Sequence, residues 1–161
     1  MTDASLQSLL AQEERLVFSG FDVDIAWQLG SFMREAALSA QLPVALTIRR
    51  GQQILFHAAL PGASADNDGW LARKAAVVAR YGHSSYYVGC LFRHDGNDFD
   101  TDSRLDTAHF AAHGGAFPLI VTNAGVIGCV AVSGLPQVDD HEFVVSCLEA
   151  FLTERGDVGQ P

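Results

Sequence analysis

The chain has 161 residues, 48% of them hydrophobic, enough for one well-cored domain and too few for two comfortable ones. Nineteen acidic residues face ten basic ones, and Lys74 is the only lysine. Nucleic acids and anionic membrane surfaces draw their affinity from clustered cations, so neither is an expected partner.

In chain order, residues 4–17 carry Leu6, Leu9, Leu10 and Leu16 among Glu13, Glu14 and Arg15, the pattern of a short surface helix. Asp22 is placed to cap a second helix, whose Ile25, Leu29, Phe32, Met33 and Ala36 recur at i, i+3 and i+4. Trp27 falls on the opposite side of that wheel, where it either packs on the first helix or marks a subunit contact. Pro43 ends the helical stretch. Residues 44–48 and 54–58 read as strands reversed by Arg49-Arg50-Gly51-Gln52. Residues 62–69 (GASADNDG) read as a loop whose acidic end suits the start of a helix over residues 70–81.

On that helix Trp70, Leu71, Val77, Val78 and Tyr81 gather in one arc with Lys74 at its middle. Ala72, Ala75, Ala76 and Ala79 gather opposite, with Arg73 and Arg80 at one edge. Two arrangements satisfy this pattern. Either the alanine side lies against another element and the bulky arc faces a pocket or interface, or the bulky arc is core and Lys74 snorkels past it. Gly82 closes the helix. His83-Ser84-Ser85 suits the cap of another through Tyr86, Val88, Cys90 and Leu91, although the β-prone residues 86–93 also suit a fifth strand.

Residues 94–104 (HDGNDFDTDSR) form an acidic, solvated loop, because no closing Glu stands where a calcium loop needs one. A short helix is expected over residues 105–112. Residues 117–122 and 126–132 then make a hairpin turning at Asn123-Ala124-Gly125, led in by Gly114-Gly115 and out by residues 133–136 (SGLP). Asp139 with Glu142 resembles a capping box for a last helix that buries Val144, Val145, Leu148, Phe151 and Leu152. Residues 156–161 are expected to be a flexible tail, leaving residues 1–155 as a single domain. The sum is an α+β fold: an antiparallel sheet of about five strands flanked by helices, an α-β-α sandwich of profilin or roadblock type.

Cys90, Cys129 and Cys147 are odd in number, widely spaced and set in apolar runs, which points to buried thiols in a reducing compartment. No basic segment precedes an apolar run at the start, and no run approaches the ~20 apolar residues of a membrane span. A cytoplasmic protein is expected.

No stretch amounts to a self-sufficient catalytic motif. Ser133 lacks a G-x-S-x-G frame, the glycines 125, 128 and 134 do not open a helix after a strand, and nothing in the sequence depresses a cysteine pKa. His109 and His113 stand four apart, but the adjacent Glu and third ligand of a zinc signature are missing. What remains is a constellation. Helix 70–81 brings Trp70, Arg73, Lys74 and Arg80, Ser84 and Ser85 bring hydroxyls, and the glycine-flanked hairpin brings exposed backbone with His113, Gly115, Ser133, Asp140 and His141. A cation, an aromatic surface and an imidazole suit a flat anionic ligand, and equally a subunit interface.

The segments LTIRRGQQILFHAALPG, NDGWLARKAAVVARYGHSSYYVG, HGGAFPLIV and GVIGCVAVSGLPQVDDH together resemble the GlcG/HbpS-like, PduO-C-terminal-related group of haem-degrading domain proteins, most closely its UPF-type branch, over roughly residues 5–153. The resemblance implies a helix-flanked antiparallel sheet that assembles into dimers or larger homo-oligomers. It also implies, from some relatives, binding of haem or a related tetrapyrrole, or a link to its degradation. At positions matching the branch it implies a ligand site on Trp70, Arg73, Lys74, Ser84, Ser85, His113, Gly115, Ser133 and His141. Trp70 would stack, Lys74 would meet an anionic group such as a propionate, and His113 or His141 would serve as iron ligand or proton donor. The expected function is therefore small-molecule binding, with haem the leading ligand and assistance in its degradation left open. A non-catalytic homo-oligomeric structural or adaptor role is the alternative, and a metal enzyme through His109 and His113 ranks behind both. The site reading requires that the lysine helix and the hairpin meet.

Overall fold

Two hairpins laid edge to edge make the sheet on which the rest of the chain is placed. The computed structural model describes residues 3–157. Its elements are α1 (Asp3–Arg15), α2 (Val23–Ser39), β1 (Ala45–Arg50), β2 (Gln53–Ala59), α3 (Ala65–Tyr81), α4 (Ser85–His94), α5 (Phe99–Asp102), β3 (Ala116–Val121), β4 (Gly125–Ser133) and α6 (Gln137–Arg155). The strands run in the order β2-β1-β4-β3, every pair antiparallel. β1 and β4 join the hairpins, in register from Ala45 opposite Ser133 to Arg50 opposite Gly128.

Alternation along the strands gives the sheet two different faces. Leu46, Ile48, Phe117, Leu119, Val130 and Val132 point to one side, where Leu29 and Met33 of α2 and Val144, Leu148 and Leu152 of α6 cover them. Each such side chain fully removed from water contributes about 1.5–3 kcal/mol. The other face carries small residues, Ala45, Ala116, Cys129 and Ala131, against Leu71, Ala75 and Val78 of α3. Small side chains on the sheet let α3 come close, which sets up the site below.

Both predicted hairpins and the buried sides of α2 and α6 form as expected, and the Asp22 carboxylate caps α2 by accepting from Ile25 N–H at 2.8 Å. The sheet has four strands, close to the five expected. A fifth position beside β3 is held only by a single parallel bridge from Phe18 to Val121. Residues 86–93 are helical and not a strand. Ser84 caps α4 by accepting from Tyr87 N–H, and Gly89 lets the helix touch the backbone, since a β carbon there would lie 2.1 Å from the Ala112 carbonyl.

Other expectations are corrected. α3 starts at Ala65, inside the expected loop, because the Asn67 side chain accepts from Ser64 N–H at 2.9 Å and caps the helix. Residues 105–112 form turns instead of a helix. Asp106 takes up the local N–H groups of Ala108, His109 and Phe110, and Ala111 N–H then bonds the Arg73 carbonyl on α3. The acidic loop holds the one-turn α5, capped by Asp98. Trp27 packs edge-on against Phe56 of β2 at 5.5 Å and is 66% exposed. Of the expected tail, Gly156 and Asp157 are docked, with Asp157 accepting from Ser19 Oγ at 2.6 Å, and residues 158–161 lie outside the described residues.

Candidate functional site

The bulky arc of α3 is core, as one of the two arrangements required, but Lys74 does not snorkel. It is buried, 2% exposed, at the centre of α3. Its Nζ donates to the Gly114 carbonyl at 2.9 Å, the Val132 carbonyl at 2.6 Å and the Asp140 carboxylate at 3.2 Å. Three acceptors use all three hydrogens of an ammonium. One side chain thus ties α3 to the lead-in of β3, the end of β4 and the start of α6, so the lysine helix and the hairpin do meet.

The surroundings are built for that contact. Gly115 adopts φ 126°, and a β carbon on it would lie 2.4 Å from Lys74 Nζ and from the Val132 carbonyl. Asp140 turns its other oxygen to Leu135 N–H at 3.0 Å. This displaces the predicted Asp139–Glu142 box: α6 begins at Gln137, and Asp140 holds the turn before it. Burial pulls the Lys74 ammonium below and pushes the Asp140 carboxyl above their ordinary values, while each partner's charge opposes the other's shift.

Above the pair opens a cleft of about 250 Å³ that brings together Trp70, Lys74, His113 and Ser133 with Asn67 and Gln137. Trp70 and His113 meet edge to face, ring centres 5.1 Å apart, and the Arg73 guanidinium lies over the indole at 4.0 Å. Burial holds His113 below the usual imidazole range. Asp100 opposes this, and Lys74, Arg93 and Arg73 add to it. The shift favours the uncharged ring, and the side chain still reaches solvent. His109 stands apart, on an exposed turn 3.8 Å from Asp106, so the two histidines share no helix face.

Three of the expected site residues lie elsewhere. Ser84 and Ser85 are buried at the start of α4. The Ser84 hydroxyl caps the helix and its N–H bonds Glu13 at 2.7 Å, while the Ser85 hydroxyl accepts from Ala116 N–H at 3.1 Å and donates to the Ala116 carbonyl at 3.3 Å. His141 is 2% exposed between Tyr86 and Phe117, its Nε2 at 2.9 Å from Gln12 and its Nδ1 without a partner. Burial lowers its pKa to about 4. Gly115 stands behind Lys74, beneath the cleft. The sequence reading missed Asn67 and Gln137. Asn67 was legible as the third residue after a possible Ser64 cap, whereas Gln137 carries no signal beyond following Pro136.

The family model described as haem degrading protein HbpS-like matches residues 21–149. The chain belongs to the HbpS-like family. A relative, a UPF0303 protein of Streptomyces avermitilis, is 55% identical over 157 residues, covering 95% of this chain and 96% of its own. The crystal structure of Ybr137w protein superposes with a TM-score of 0.87 at 32% identity, over 96% of this chain and 91% of that one. The crystal structure of a PduOC:heme complex has the same fold, with a TM-score of 0.65 at 20% identity, over 81% and 94% of the two chains. Among the described residues no helix is long and apolar enough to cross a membrane.

Proposed function

We propose that this HbpS-like chain binds a flat anionic ligand, haem or a related tetrapyrrole, at the mouth of the cleft, with His113 as the iron ligand. The observation that carries this reading is the His113 imidazole. It is solvent-facing, burial favours its uncharged form, and its ring is held edge to face by Trp70, over which Arg73 lies. A neutral imidazole offers the lone pair that haem iron takes, and the aromatic and guanidinium surface beside it suits a macrocycle with acidic substituents. Haem, when bound, would supply the iron redox chemistry on which any degradation depends. Its relatives' family description and the haem complex of PduOC, which shares the fold, support the same ligand. His141 is the weaker choice for iron, being enclosed by Tyr86, Phe117 and Gln12.

Titration of the purified protein with hemin should shift the Soret band. His113→Ala should abolish most of the shift, and His141→Ala should leave it intact. A flat titration of the unaltered protein removes the haem reading.

A second reading, self-association into a homo-oligomer, is favoured by a specific surface. Trp27 and Val23 stand a helical turn apart on α2, and Ile54 lies two residues from Phe56, the ring that Trp27 touches, on the free edge strand β2. Trp27, Val23 and Ile54 are 66%, 55% and 53% exposed. Light scattering should find an oligomer that Trp27→Glu dissociates, and a monomer at all concentrations would contradict this. The three free, buried thiols suit a cytoplasmic protein.

A further inference from the structure

Lys74 occupies the middle of the cleft floor, yet it has no hydrogen left for a ligand: its three donors are spent on Gly114, Val132 and Asp140. The negative charge of Asp140 is likewise consumed by Lys74 and Leu135 N–H. Recognition at the inner cleft therefore falls to its neutral polar side chains, and their orientation is fixed. An amide side chain has one acceptor end and one donor end, and a backbone N–H can only be met by the acceptor. Asn67 gives its oxygen to Ser64 N–H at 2.9 Å, and Gln137 gives its oxygen to Gly114 N–H at 3.2 Å. The Gln137 NH₂ and one hydrogen of the Asn67 NH₂ are thereby left for the cleft. Asn67 Nδ2 reaches Ser133 Oγ at 3.5 Å, which makes that oxygen an acceptor and frees its own hydrogen to donate. Three donors from three elements face one space, above a buried ammonium.

We propose that the inner cleft is a carboxylate subsite, in which the side-chain amides of Asn67 and Gln137 and the Ser133 hydroxyl donate to the ligand's acid group. It rests on the reading that the cleft binds a ligand, and narrows that ligand to one carrying a carboxylate beside the part that His113 meets. Lys74, its charge already paired with Asp140, holds the donors' frame without touching the acid.

The test uses the isosteric changes Asn67→Asp and Gln137→Glu. Each keeps an oxygen for its backbone N–H, so the caps survive and the melting temperature should hold. Each replaces the donor end with a negative charge. Hydrogen bonds to a charged group predict a loss of about tenfold or more in affinity for each donor removed. In the unaltered protein hemin should bind at least tenfold more tightly than hemin dimethyl ester, whose acids are blocked, and both variants should erase that advantage. Equal affinity for the two porphyrins, or an advantage that survives both variants, overturns the subsite while leaving haem binding standing. If hemin gives no Soret shift, the haem reading falls. The subsite is then judged by succinate titration of the Asn67 and Gln137 side-chain amide resonances: saturable shifts support it and their absence overturns it.

Discussion

Replacing Lys74 with methionine should be among the most damaging single changes in the molecule. Methionine fills most of the same volume, so little of the loss is packing. What is removed is the cation paired with Asp140, whose side chain is 4% exposed. The Gly114 and Val132 carbonyls lose their 2.9 and 2.6 Å donors in the same step. Breaking a buried ion pair from one side costs about 3–5 kcal/mol, because the remaining charge stays desolvated and unpaired. For a domain of this size that is a fall of about 6–20 °C in melting temperature. Urea denaturation of the unaltered protein, Lys74→Met, Asp140→Leu and the double variant reads the energies directly. The double variant should be less destabilised than the sum of the singles, since removing both charges leaves no orphan ion. A loss below about 1 kcal/mol for Lys74→Met, the range of an exposed pair, would refute the assignment of Lys74 as the tie between α3, the hairpin and α6.

Two further outcomes follow from groups outside the cleft. Burial keeps the His141 pKa near 4, below its value of about 6.5 in the unfolded chain. The unfolded state therefore binds the extra proton first. The stabilisation from a neutral His141 is complete above pH 6.5 and is lost as pH falls towards 4, by about 3 kcal/mol. Unfolding free energies measured across that window should fall less steeply in His141→Gln, and parallel curves would contradict this. Ser85→Ala leaves the buried Ala116 N–H without its 3.1 Å acceptor and should cost about 1–3 kcal/mol in denaturant unfolding. It should leave the hemin titration unchanged, and a weakened Soret shift would return Ser85 to the ligand site.

Much of the framework was legible in the residues, and for local reasons. The second hairpin is announced by Asn123-Ala124-Gly125 between two β-branched runs, and Asn123 and Gly125 do take positive φ, at 64° and 76°. The α2 cap and the buried stripe of α6 are likewise one-element patterns, visible from spacing alone. The errors occur where a segment's fate is decided by another segment. Residues 105–112 hold enough alanine for a helix, but pairing of Ala111 with Arg73 draws them onto α3. Residues 86–93 suited both a helix capped at Ser84 and a fifth strand, and the cap, with Gly89 making room for the Ala112 carbonyl, decides for the helix. Ser84 and Ser85 looked like ligand hydroxyls because a sequence does not show that a cap and a strand end have already consumed them.

The site follows the same division. The arcs on α3 set Lys74 in the middle of a bulky face and left open whether that face was core or met a pocket; the structure makes it core, buries the lysine without snorkelling and brings it to the glycine-flanked hairpin. Whether the ammonium was free could not be read, because its three acceptors lie 40, 58 and 66 residues away in the chain. That arithmetic reverses the expected roles. A lysine whose donors are all committed and whose charge is paired fixes geometry: it holds the lead-in of β3 against the end of β4, and so sets where Gly114, Ser133 and Gln137 stand. The groups with donors still to give are two amides anchored by their oxygens, residues that carry no charge and left almost no mark on the sequence. The lysine that drew attention as the binding residue is the beam under the site, and the recognition we propose falls to the neutral side chains it positions.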